Sequence, residues 1–298
     1  MKVKIPSRIA MDSQIQHDFL KALQSIGVAV YQSIKSSDAH YTQNTNPTAD
    51  LQLDLDVKVD RLIFDHLLQL ASVAGVMSEE REQAHYKEEG DFLVAFDPLD
   101  GSSVVGANFL VGSIFGIYNA KDFTDSNIAQ KIQMGAYILY GAKLELVVAV
   151  AGKVAHYSYD EIHHTWAQKS PLTLKDKGKN IAPGGSWEFF DTSYKAFLEG
   201  FFKQGYRLRY SGSMVADVHH LLSKQGGIFC YPATKDAPQG KLRKLFEVYP
   251  LAFVVEQAGG VGLVGTNQQR LLETKLESLH AKSPCFLGSK VEMQSLKA

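Results

Sequence analysis

Two short apolar segments that each end abruptly in carboxylates constrain this chain more than any other feature of its sequence. The segment VAGVM runs into Glu79 and Glu80, and the segment FLVAF runs into Asp97 and Asp100. Apolar runs of this length are typical of buried strands. Layered α/β enzymes build their sites where such strands end. The sequence therefore predicts an α/β fold in which strand ends deliver acidic side chains.

Helical and strand-like patterns alternate along the rest of the chain. Apolar residues three or four positions apart predict amphipathic helices over residues 15–34 and from about Asp56 onward. The polar segment 36–50 between these helices is interpreted as a surface loop. The further predicted elements are three antiparallel strands (134–140, 143–150 and 153–160), a helix (214–224), a strand (226–232) and a helix (250–260) with Pro250 at its start and Gly259 past its end.

A polar segment over residues 168–180 predicts the passage between two tightly packed halves. The expected N-terminal half, residues 1–175, contains helices, a mixed or antiparallel sheet and the acidic strand ends. The expected C-terminal half, residues 176–298, is itself α/β. The predicted fold class is thus α/β, an α+β layered sandwich.

Charge and cysteine content exclude several classes of function. The 298 residues include 31 Lys and Arg against 32 Asp and Glu, so no basic excess indicates a nucleic-acid or membrane partner. Cys230 and Cys285 form neither a disulfide framework nor a zinc spacing, which favours a reducing compartment. The sequence has no signal core at its start and no long apolar run. We therefore expect a cytoplasmic protein without a membrane span.

The stretch FDPLDGSS carries the strongest chemical signal. Asp97 and Asp100 flank a proline bend, and Gly101, Ser102 and Ser103 then offer backbone N–H groups and two hydroxyls. If a helix starts there, these groups form an anion site. Carboxylates beside a phosphate cradle suit Mg²⁺, which binds oxygen and bridges to substrate phosphate. The alternative is a surface turn with N-capping Asp and Ser.

Two further groups of charged residues indicate a site only when they are considered together with FDPLDGSS. Adjacent Glu79 and Glu80 repel each other unless a cation or solvent intervenes, and a solvated loop is the alternative. In GKLRKLFE, Lys241 and Arg243 offer phosphate-binding cations before Glu247, which a strand or turn is expected to present. The alternative there is a solvated basic face.

Six blocks, in order and spacing, resemble class I fructose-1,6-bisphosphatase, a branch of the lithium-sensitive, metal-dependent phosphatase superfamily. The blocks are VAGVMSEE, FDPLDGSS, SIFGIY, RYSGSMVADVHHLL, GGIFCYPATKDAPQGKLRKLFEVYP and FVVEQAGG. The resemblance covers roughly residues 50–290. It implies the alternating helix and sheet layers of the sugar-phosphatase fold. It also implies Mg²⁺-dependent hydrolysis of the 1-phosphate of fructose 1,6-bisphosphate in gluconeogenesis and sugar-phosphate metabolism.

The resemblance also implies a role for individual residues. Asp56 and Glu80 match the acidic pair that orients and deprotonates the attacking water. The implied ligands of two or three Mg²⁺ ions (Mn²⁺ being possible) are Glu79, Asp97, the Leu99 carbonyl, Asp100 and Glu247. The implied substrate contacts are Asp100, Gly101, Ser102, Ser103, Tyr210, Met214, Tyr231, Lys241 and Arg243. Arg209 matches an arginine that reaches a neighbouring subunit's site, which implies a homotetramer or homodimer.

The chain departs from the family pattern around the sugar and behind the metals. Val104 and Gly106 stand where Asn and Asp are usual. The usual Asn-Glu-Gly-Tyr block is replaced by NIAPGGSWEFF, and its APGG is closer to sedoheptulose-1,7-bisphosphatases. Trp187 and Tyr194 in this region are interpreted as core residues rather than as replacements. Sedoheptulose-1,7-bisphosphatase or dual-specificity activity is therefore the alternative function.

A third departure concerns regulation. The Lys-Tyr pair that holds AMP phosphate in regulated relatives is Asp91-Phe92 here, and a downstream Arg is Asn119. A carboxylate repels phosphate, so we expect no AMP inhibition. Two more distant alternatives are an inositol- or nucleotide-phosphate phosphatase and a sugar-phosphate-binding regulator without turnover.

Overall fold

The structure is a computed structural model that describes residues 11–37, 41–45 and 51–296. Its α-helices are α1 Ser13–Ser36, α2 Asp54–Leu68, α3 Ser102–Val105, α4 Thr192–Lys203, α5 Met214–Ser223, α6 Tyr249–Gln257 and α7 Lys290–Gln294. The strands of the first half are β1 Tyr41–Thr45, β2 Leu51–Leu53, β3 Val73–Ser78, β4 His85–Tyr86, β5 Phe92–Asp100, β6 Val111–Tyr118, β7 Ile132–Tyr140, β8 Leu144–Val150, β9 Lys153–Asp160 and β10 Thr165–Gln168. Those that follow are β11 Asn180–Pro183, β12 Arg207–Leu208, β13 Ile228–Tyr231, β14 Leu242–Arg243, β15 Val261–Leu263, β16 Lys282–Ser283 and β17 Cys285–Gly288.

The inner strands of the larger sheet are buried on both faces, whereas its edge strands β4 and β10 are largely exposed. Its order is β10-β9-β8-β7-β6-β5-β3-β4, and its pairs are antiparallel except β3 with β5. Every residue of β5 and β6 is buried, which explains why these segments are continuously apolar up to their ends. The parallel pairing brings the carboxyl ends of β3 and β5 to the same edge.

The smaller sheet has the order β12-β11-β13-β17-β15 and mixes parallel and antiparallel pairs. Alternate residues of its strands enter two different hydrophobic clusters. Phe229 packs toward the larger sheet, whereas its neighbours Ile228 and Cys230 pack toward α4 and α7. This alternation shows that the smaller sheet is covered on both faces.

The hydrophobic clusters define a stack of alternating helix and sheet layers. One cluster joins α1 and α2 to one face of the larger sheet, with Phe19 edge-on to Phe92 at 6.3 Å. A second lies between the two sheets around α5 and α6, and a third places α4 and α7 outside the smaller sheet. The predicted layered α/β sandwich is confirmed by this arrangement.

Local sequence signals account for the helix boundaries. Asp12 caps α1 by accepting a hydrogen bond from the Ile15 N–H at 2.8 Å. Helix α2 begins at Asp54, two residues before the predicted start, with Asp54 and Asp56 in its first turn. The predicted loop over 36–50 is wrong for residues 41–45, which form β1; residues 38–40 and 46–50 lie outside the described residues.

Both cysteines lie on neighbouring strands of the smaller sheet. Cys230 and Cys285 are free and buried, and burial raises the pKa of Cys230 to about 12. Neither thiol is thus poised to ionise near neutral pH. Within the described residues, no helix combines the length and the apolar character needed to cross a bilayer.

Candidate active site

A β-bulge at the end of β5 aims the first carboxylates. The ladder with β6 pairs Asp97 with Ile114 but Asp100 with Gly112, so β5 gains one residue across the proline bend. The Asp97 carboxylate accepts a hydrogen bond from the Leu99 N–H at 2.9 Å. This turn fixes the orientation of the bend that the FDPLD sequence predicts.

A buried serine holds the same bend from the neighbouring strand. The Ser113 hydroxyl donates to the Pro98 carbonyl at 2.6 Å and lies 2.8 Å from the Tyr140 hydroxyl. Ser113 belongs to the SIFGIY region, but nothing in its sequence context marks it as a support of the bend. It is a positioning residue that sequence reasoning missed.

Gly101 allows the chain to turn directly from β5 into α3. Its φ of +85° favours glycine, and an added Cβ would lie 2.6 Å from the Ser213 Cβ. The following Ser102 and Ser103 form the first turn of α3 and line the cavity. The helix start that the anion-site interpretation requires after the bend is therefore present, although α3 is only one turn long.

The two departures beside α3 have different surroundings. Val104 packs against the cluster beneath α1 and α2, so an apolar contact stands where the family has a polar residue. Gly106 is exposed, and an added Cβ there would meet no atom within 4 Å. Neither residue lines the cavity, so neither supplies a polar side chain to the carboxylate cluster.

Asp100 ties the bulge to the start of α5. Its carboxylate accepts hydrogen bonds from the Ser213 hydroxyl at 2.6 Å, the Val215 N–H at 2.8 Å and the Met214 N–H at 3.2 Å. Helix N-termini carry unsatisfied N–H groups and a partial positive charge, so they stabilise an anion. Ser213 is a second positioning residue that sequence reasoning missed, although its place as the N-cap of the predicted helix was a usable signal.

Arg243 links the carboxylates that come from β3 and from the second half. Its Nη1 lies 2.5 Å from Glu79 Oε1, and its backbone N–H donates to Glu247 Oε2 at 2.6 Å. The segment carries the short strand β14, Leu242–Arg243, as the predicted strand or turn requires, and Glu247 itself lies on the π-helical turn Lys244–Val248 that follows. The π turn leads directly into α6, which is why the helix continues without a break. Such turns are frequent at functional sites.

The solvated-face alternative for this segment is also wrong for its two central cations. Arg243 and Lys244 are both buried, and the Lys244 ammonium binds Glu277 at 2.8 Å, away from the cavity. Lys241 is exposed at the rim of the cavity.

Crowding of buried carboxylates dominates the electrostatics. Burial, followed by the charges of neighbouring carboxylates, raises the pKa values of Glu79 and Asp97 well above their ordinary range. Burial also raises the pKa of Asp100, although its three hydrogen bonds oppose that shift, and it raises the pKa of Glu247 to about 7. Without added positive charge, the cluster cannot be fully ionised at neutral pH.

Two tyrosines form the other wall of the cavity. Tyr210 and Tyr231 both line the cavity, and burial raises the pKa of each hydroxyl above its ordinary value. An added Cβ on Gly184 would lie 2.2 Å from the Tyr231 ring. Gly184 of the APGG segment therefore leaves room for the Tyr231 ring where the family's usual block is missing.

The two aromatic residues of this segment have opposite surroundings. Tyr194 is buried among Phe190, Phe197 and Phe286, as predicted for a core residue. Trp187 is 52% exposed, so its predicted core position is wrong. Its ring packs against Phe190 and beneath the Lys195 ammonium on the surface.

One cavity of about 550 Å³ gathers nearly all the candidate residues. The candidates that line it are Asp56, Glu79, Glu80, Asp97, Leu99, Asp100, Gly101, Ser102, Ser103, Tyr210, Met214, Tyr231, Lys241, Arg243 and Glu247. Arg209 does not line this cavity; it lies in a neighbouring basic groove with its guanidinium donating to the Leu208 carbonyl at 2.7 Å.

The cavity suits divalent cations. Oxygens of Asp97, Asp100 and Glu247 lie within 4.8 Å of one another, and all three residues are buried. The buried Glu79 Oε2 makes no hydrogen bond within the described residues. All the donor atoms are oxygens, which a hard divalent cation prefers. Such a cation would also balance the negative charge of carboxylates whose pKa values are raised by crowding.

The layered fold and the carboxylate cavity define a metal-dependent phosphatase of the sugar-phosphatase fold. Residues 10–171 match the family described as "Fructose-1-6-bisphosphatase, N-terminal domain", and residues 174–298 match the corresponding C-terminal domain. The chain belongs to the class 1 fructose-1,6-bisphosphatase family.

Individual relatives agree with this assignment. The chain is 44% identical over 280 residues to fructose-1,6-bisphosphatase class 1 of Helicobacter hepaticus, covering 93% of this chain and 97% of the relative. The fructose-1,6-bisphosphatase of Leishmania major in holo form superposes with a TM-score of 0.86 at 32% identity, covering 95% and 94%. A putative sedoheptulose-1,7-bisphosphatase from Toxoplasma gondii superposes with a TM-score of 0.87 at 27% identity, covering 96% of this chain and 94% of that protein.

In metal-free protein, Glu247→Gln is expected to flatten the pH dependence of stability. The native Glu247 pKa of about 7 lies above its ordinary 4.5, so its contribution to the unfolding free energy is present below pH 4.5 and is lost as pH rises through 7. The wild type should lose up to about 3 kcal/mol through this group, and the variant should not.

Denaturant unfolding with a chelator at pH 4.5 and 7.5 measures this difference. Glu88→Gln serves as the control because Glu88 is exposed and outside the cavity, and it should behave like the wild type. Added Mg²⁺ should stabilise the wild type at pH 7.5 more than Glu247→Gln. Identical pH slopes in the wild type and Glu247→Gln would contradict the electrostatic argument.

Proposed function

We propose that this chain catalyses Mg²⁺-dependent hydrolysis of the 1-phosphate of fructose 1,6-bisphosphate, yielding fructose 6-phosphate and inorganic phosphate. The observation that carries this proposal is the convergence of buried carboxylates, a serine turn and two cations in one cavity. Relatives that align over more than nine-tenths of both chains bear the name fructose-1,6-bisphosphatase.

The carboxylates supply the metal ligands in this proposal. Glu79, Asp97, Asp100, Glu247 and the Leu99 carbonyl would hold two or three Mg²⁺ ions, Mn²⁺ being an alternative. When bound, these ions stabilise the attacking and leaving oxygens of an in-line displacement. Metal binding also explains why carboxylates with raised pKa values are kept together, since the cations restore their ionised forms.

The remaining residues divide into water activation and substrate binding. Asp56, 3% exposed, and Glu80 orient and deprotonate the attacking water. Ser102 and Ser103, with Arg243 nearby, hold the phosphate that leaves. The distal phosphate and the sugar are held by Lys241, Tyr210, Tyr231 and the Met214 backbone. We infer that transfer goes directly to water. A thiolate nucleophile is excluded because both cysteines are buried and burial raises their pKa values.

The first test is phosphate release from fructose 1,6-bisphosphate and sedoheptulose 1,7-bisphosphate, side by side, with Mg²⁺ present and absent. Turnover of the fructose substrate that requires Mg²⁺ supports the proposal. Higher kcat/KM for the sedoheptulose substrate would favour the alternative function, sedoheptulose-1,7-bisphosphatase activity. The glycines of the APGG segment beside Tyr231 and the structural similarity to the Toxoplasma gondii protein motivate that alternative. Absence of turnover on both, with binding retained, would identify a regulator instead.

Glu80→Gln and Asp56→Asn are expected to lower kcat by about 10²–10⁴-fold, since each removes a base that acts on the attacking water. KM should change much less, because neither residue is assigned to the sugar or the distal phosphate. Steady-state phosphate release at saturating Mg²⁺ measures both constants. The matched control is Glu82→Gln, an exposed residue outside the cavity, which should retain wild-type kcat. Near-full kcat in Glu80→Gln and Asp56→Asn would refute their role.

The position of Arg209 supports an oligomer in which subunits share sites. Arg209 is exposed and outside its own chain's cavity, while the next residue, Tyr210, lines that cavity. Leu208 beside it is 54% exposed, a large apolar side chain that a neighbouring subunit would cover. We infer a homotetramer or homodimer in which Arg209 reaches the partner's substrate.

Arg209→Ala should raise KM, and mixed oligomers of Arg209→Ala with Asp97→Asn should regain activity. In such a hybrid, an intact metal cavity on one subunit receives an intact arginine from the other. Activity after co-refolding or co-expression measures the rescue. The control mixture is Asp97→Asn with Glu247→Gln, since both changes damage the cavity within their own chain. Failure of rescue in hybrids isolated by differential tags would contradict the shared site.

The surroundings of Asp91 and Phe92, which replace the Lys-Tyr pair of regulated relatives, support the absence of AMP inhibition. Phe92 is fully buried against Phe19, so its ring faces the core, and Asp91 is exposed beside it. On α1, the Lys35 ammonium already binds Glu161 at 2.8 Å. These residues do not supply the cation that a phosphate group requires.

AMP is therefore expected to cause no inhibition that persists at saturating substrate. A phosphate with roughly two negative charges is repelled by Asp91. The measurement is an AMP titration of turnover at fixed Mg²⁺, with substrate limiting and then saturating. Strong inhibition at saturating substrate that is abolished by Lys21→Ala on α1 would overturn the expectation.

We also infer a division of the chain into two halves and a reducing location. The irregular segment between β10 and β11 supports a division into halves near residues 175 and 176, since each half contributes its own sheet. Two buried free thiols support a reducing, cytoplasmic location.

A further inference from the structure

A second cluster of metal-binding side chains lies outside the proposed active site. Glu145 on β8, His156 on β9 and His219 on α5 each place one ligand atom within 4.8 Å of the others. None of the three lines the catalytic cavity. We propose that these residues bind a divalent transition-metal ion of the zinc class, which pins α5 to the larger sheet.

The register of β8 and β9 places two of the three ligands next to each other. His156 pairs with Val147, and Glu145 pairs with Ser158, so Glu145 and His156 are diagonal neighbours on one face of the sheet. Helix α5 packs on that face and supplies His219 from its middle. The three ligands thus come from three separate elements that tertiary packing holds in place.

The ligand atoms converge on one carboxylate. His156 Nε2 lies 3.6 Å from Glu145 Oε1, and His219 Nε2 lies 3.4 Å from Glu145 Oε2. The two imidazole rings are 5.7 Å apart between centroids. Ligands about 2.0–2.1 Å from a tetrahedral Zn²⁺ are separated by about 3.4 Å, close to these distances.

A neighbouring tyrosine fixes which nitrogen of His219 faces the site. The Tyr137 hydroxyl lies 3.0 Å from His219 Nδ1, which leaves Nε2 toward Glu145. Burial and the Glu145 charge raise the Tyr137 pKa, so the hydroxyl stays neutral as a hydrogen-bonding partner. A ligating histidine ordinarily makes such an outer hydrogen bond through its other ring nitrogen.

The buried, unsatisfied Nε2 atom of His156 is not explained by a simple ion pair with Glu145. This atom is buried and makes no hydrogen bond within the described residues. Buried polar atoms are almost always satisfied, and each exception requires a ligand, a water or an ion. A metal ion bound between His156, His219 and Glu145 would satisfy it.

The donor set selects the class of metal. Two imidazoles and one carboxylate favour Zn²⁺ and its neighbours over Mg²⁺, which prefers oxygen ligands. Three protein ligands leave a fourth coordination position for water. The side chains are 12–19% exposed, so an ion can enter from solvent. This set differs from the all-oxygen cluster that the active site offers.

The test uses the full chain in the Asp97→Asn background, with Mg²⁺ in excess, so that Zn²⁺ binding at the catalytic cavity is suppressed. ZnCl₂ is titrated calorimetrically, and bound zinc is counted after dialysis. One equivalent of Zn²⁺ is expected. His156→Gln or His219→Gln should weaken its binding by at least about 100-fold, since loss of a ligand exceeds the 10–100-fold cost of losing an outer partner.

Two additional variants make the result specific. Tyr137→Phe should weaken Zn²⁺ binding by about 10-fold through its outer hydrogen bond. His220→Ala is the matched control, because it is the next residue on α5 and lies in the basic groove instead. It should bind Zn²⁺ like the parent. No bound equivalent in the parent, or unchanged affinity in folded His156→Gln and His219→Gln, would overturn the proposal and leave a salt-bridged cluster only.

Discussion

The carboxylate of Asp100 is the contact on which the rest of the site depends. It comes from the last residue of β5, yet three of its hydrogen bonds come from residues 213–215 at the start of α5. The contact closes the second half of the chain over the first and satisfies helix N–H groups that would otherwise be orphaned. It also holds one ligand of the carboxylate cluster in place, so packing of the halves and assembly of the site are the same event.

The same contact also buries several carboxylates together, which disfavours their ionised forms. Closing the halves buries Glu79, Asp97, Asp100 and Glu247 together with Arg243 as the buried cation among them. Burial favours neutral carboxyls, as the raised pKa values show. A protein that kept these groups for stability alone would gain more from apolar replacements. Their retention is understandable if divalent cations and a phosphate complete the charge balance.

Helix α5 connects this site with other parts of the fold. Its first residues bind Asp100, while Asp217 one turn later accepts hydrogen bonds from the Ser211 N–H at 2.9 and 3.2 Å and so positions the 209–213 segment. His219 faces the larger sheet next to Glu145. Movements of α5 would therefore be felt at the metal ligands, at the tyrosine wall through Tyr210, and at the groove that holds Arg209.

The sequence by itself determined the apolar strands, the amphipathic helices, the bend of FDPLDGSS and, through blocks with a family's spacing, the list of carboxylates. The strands, helices and bend are local features that periodicity and turn chemistry suffice to find, whereas the list of carboxylates came from the resemblance to a family. Only the tertiary structure decided that Glu247 sits on a π-helical turn, that Trp187 is exposed, and that Ser113 and Ser213 support the site. The two serines bind partners 15 and 113 residues away in the chain, and a hydrogen bond between distant residues leaves no periodic trace in the sequence. The π turn depends on how α6 meets the residues before it, and the exposure of Trp187 depends on which parts of the fold cover its ring.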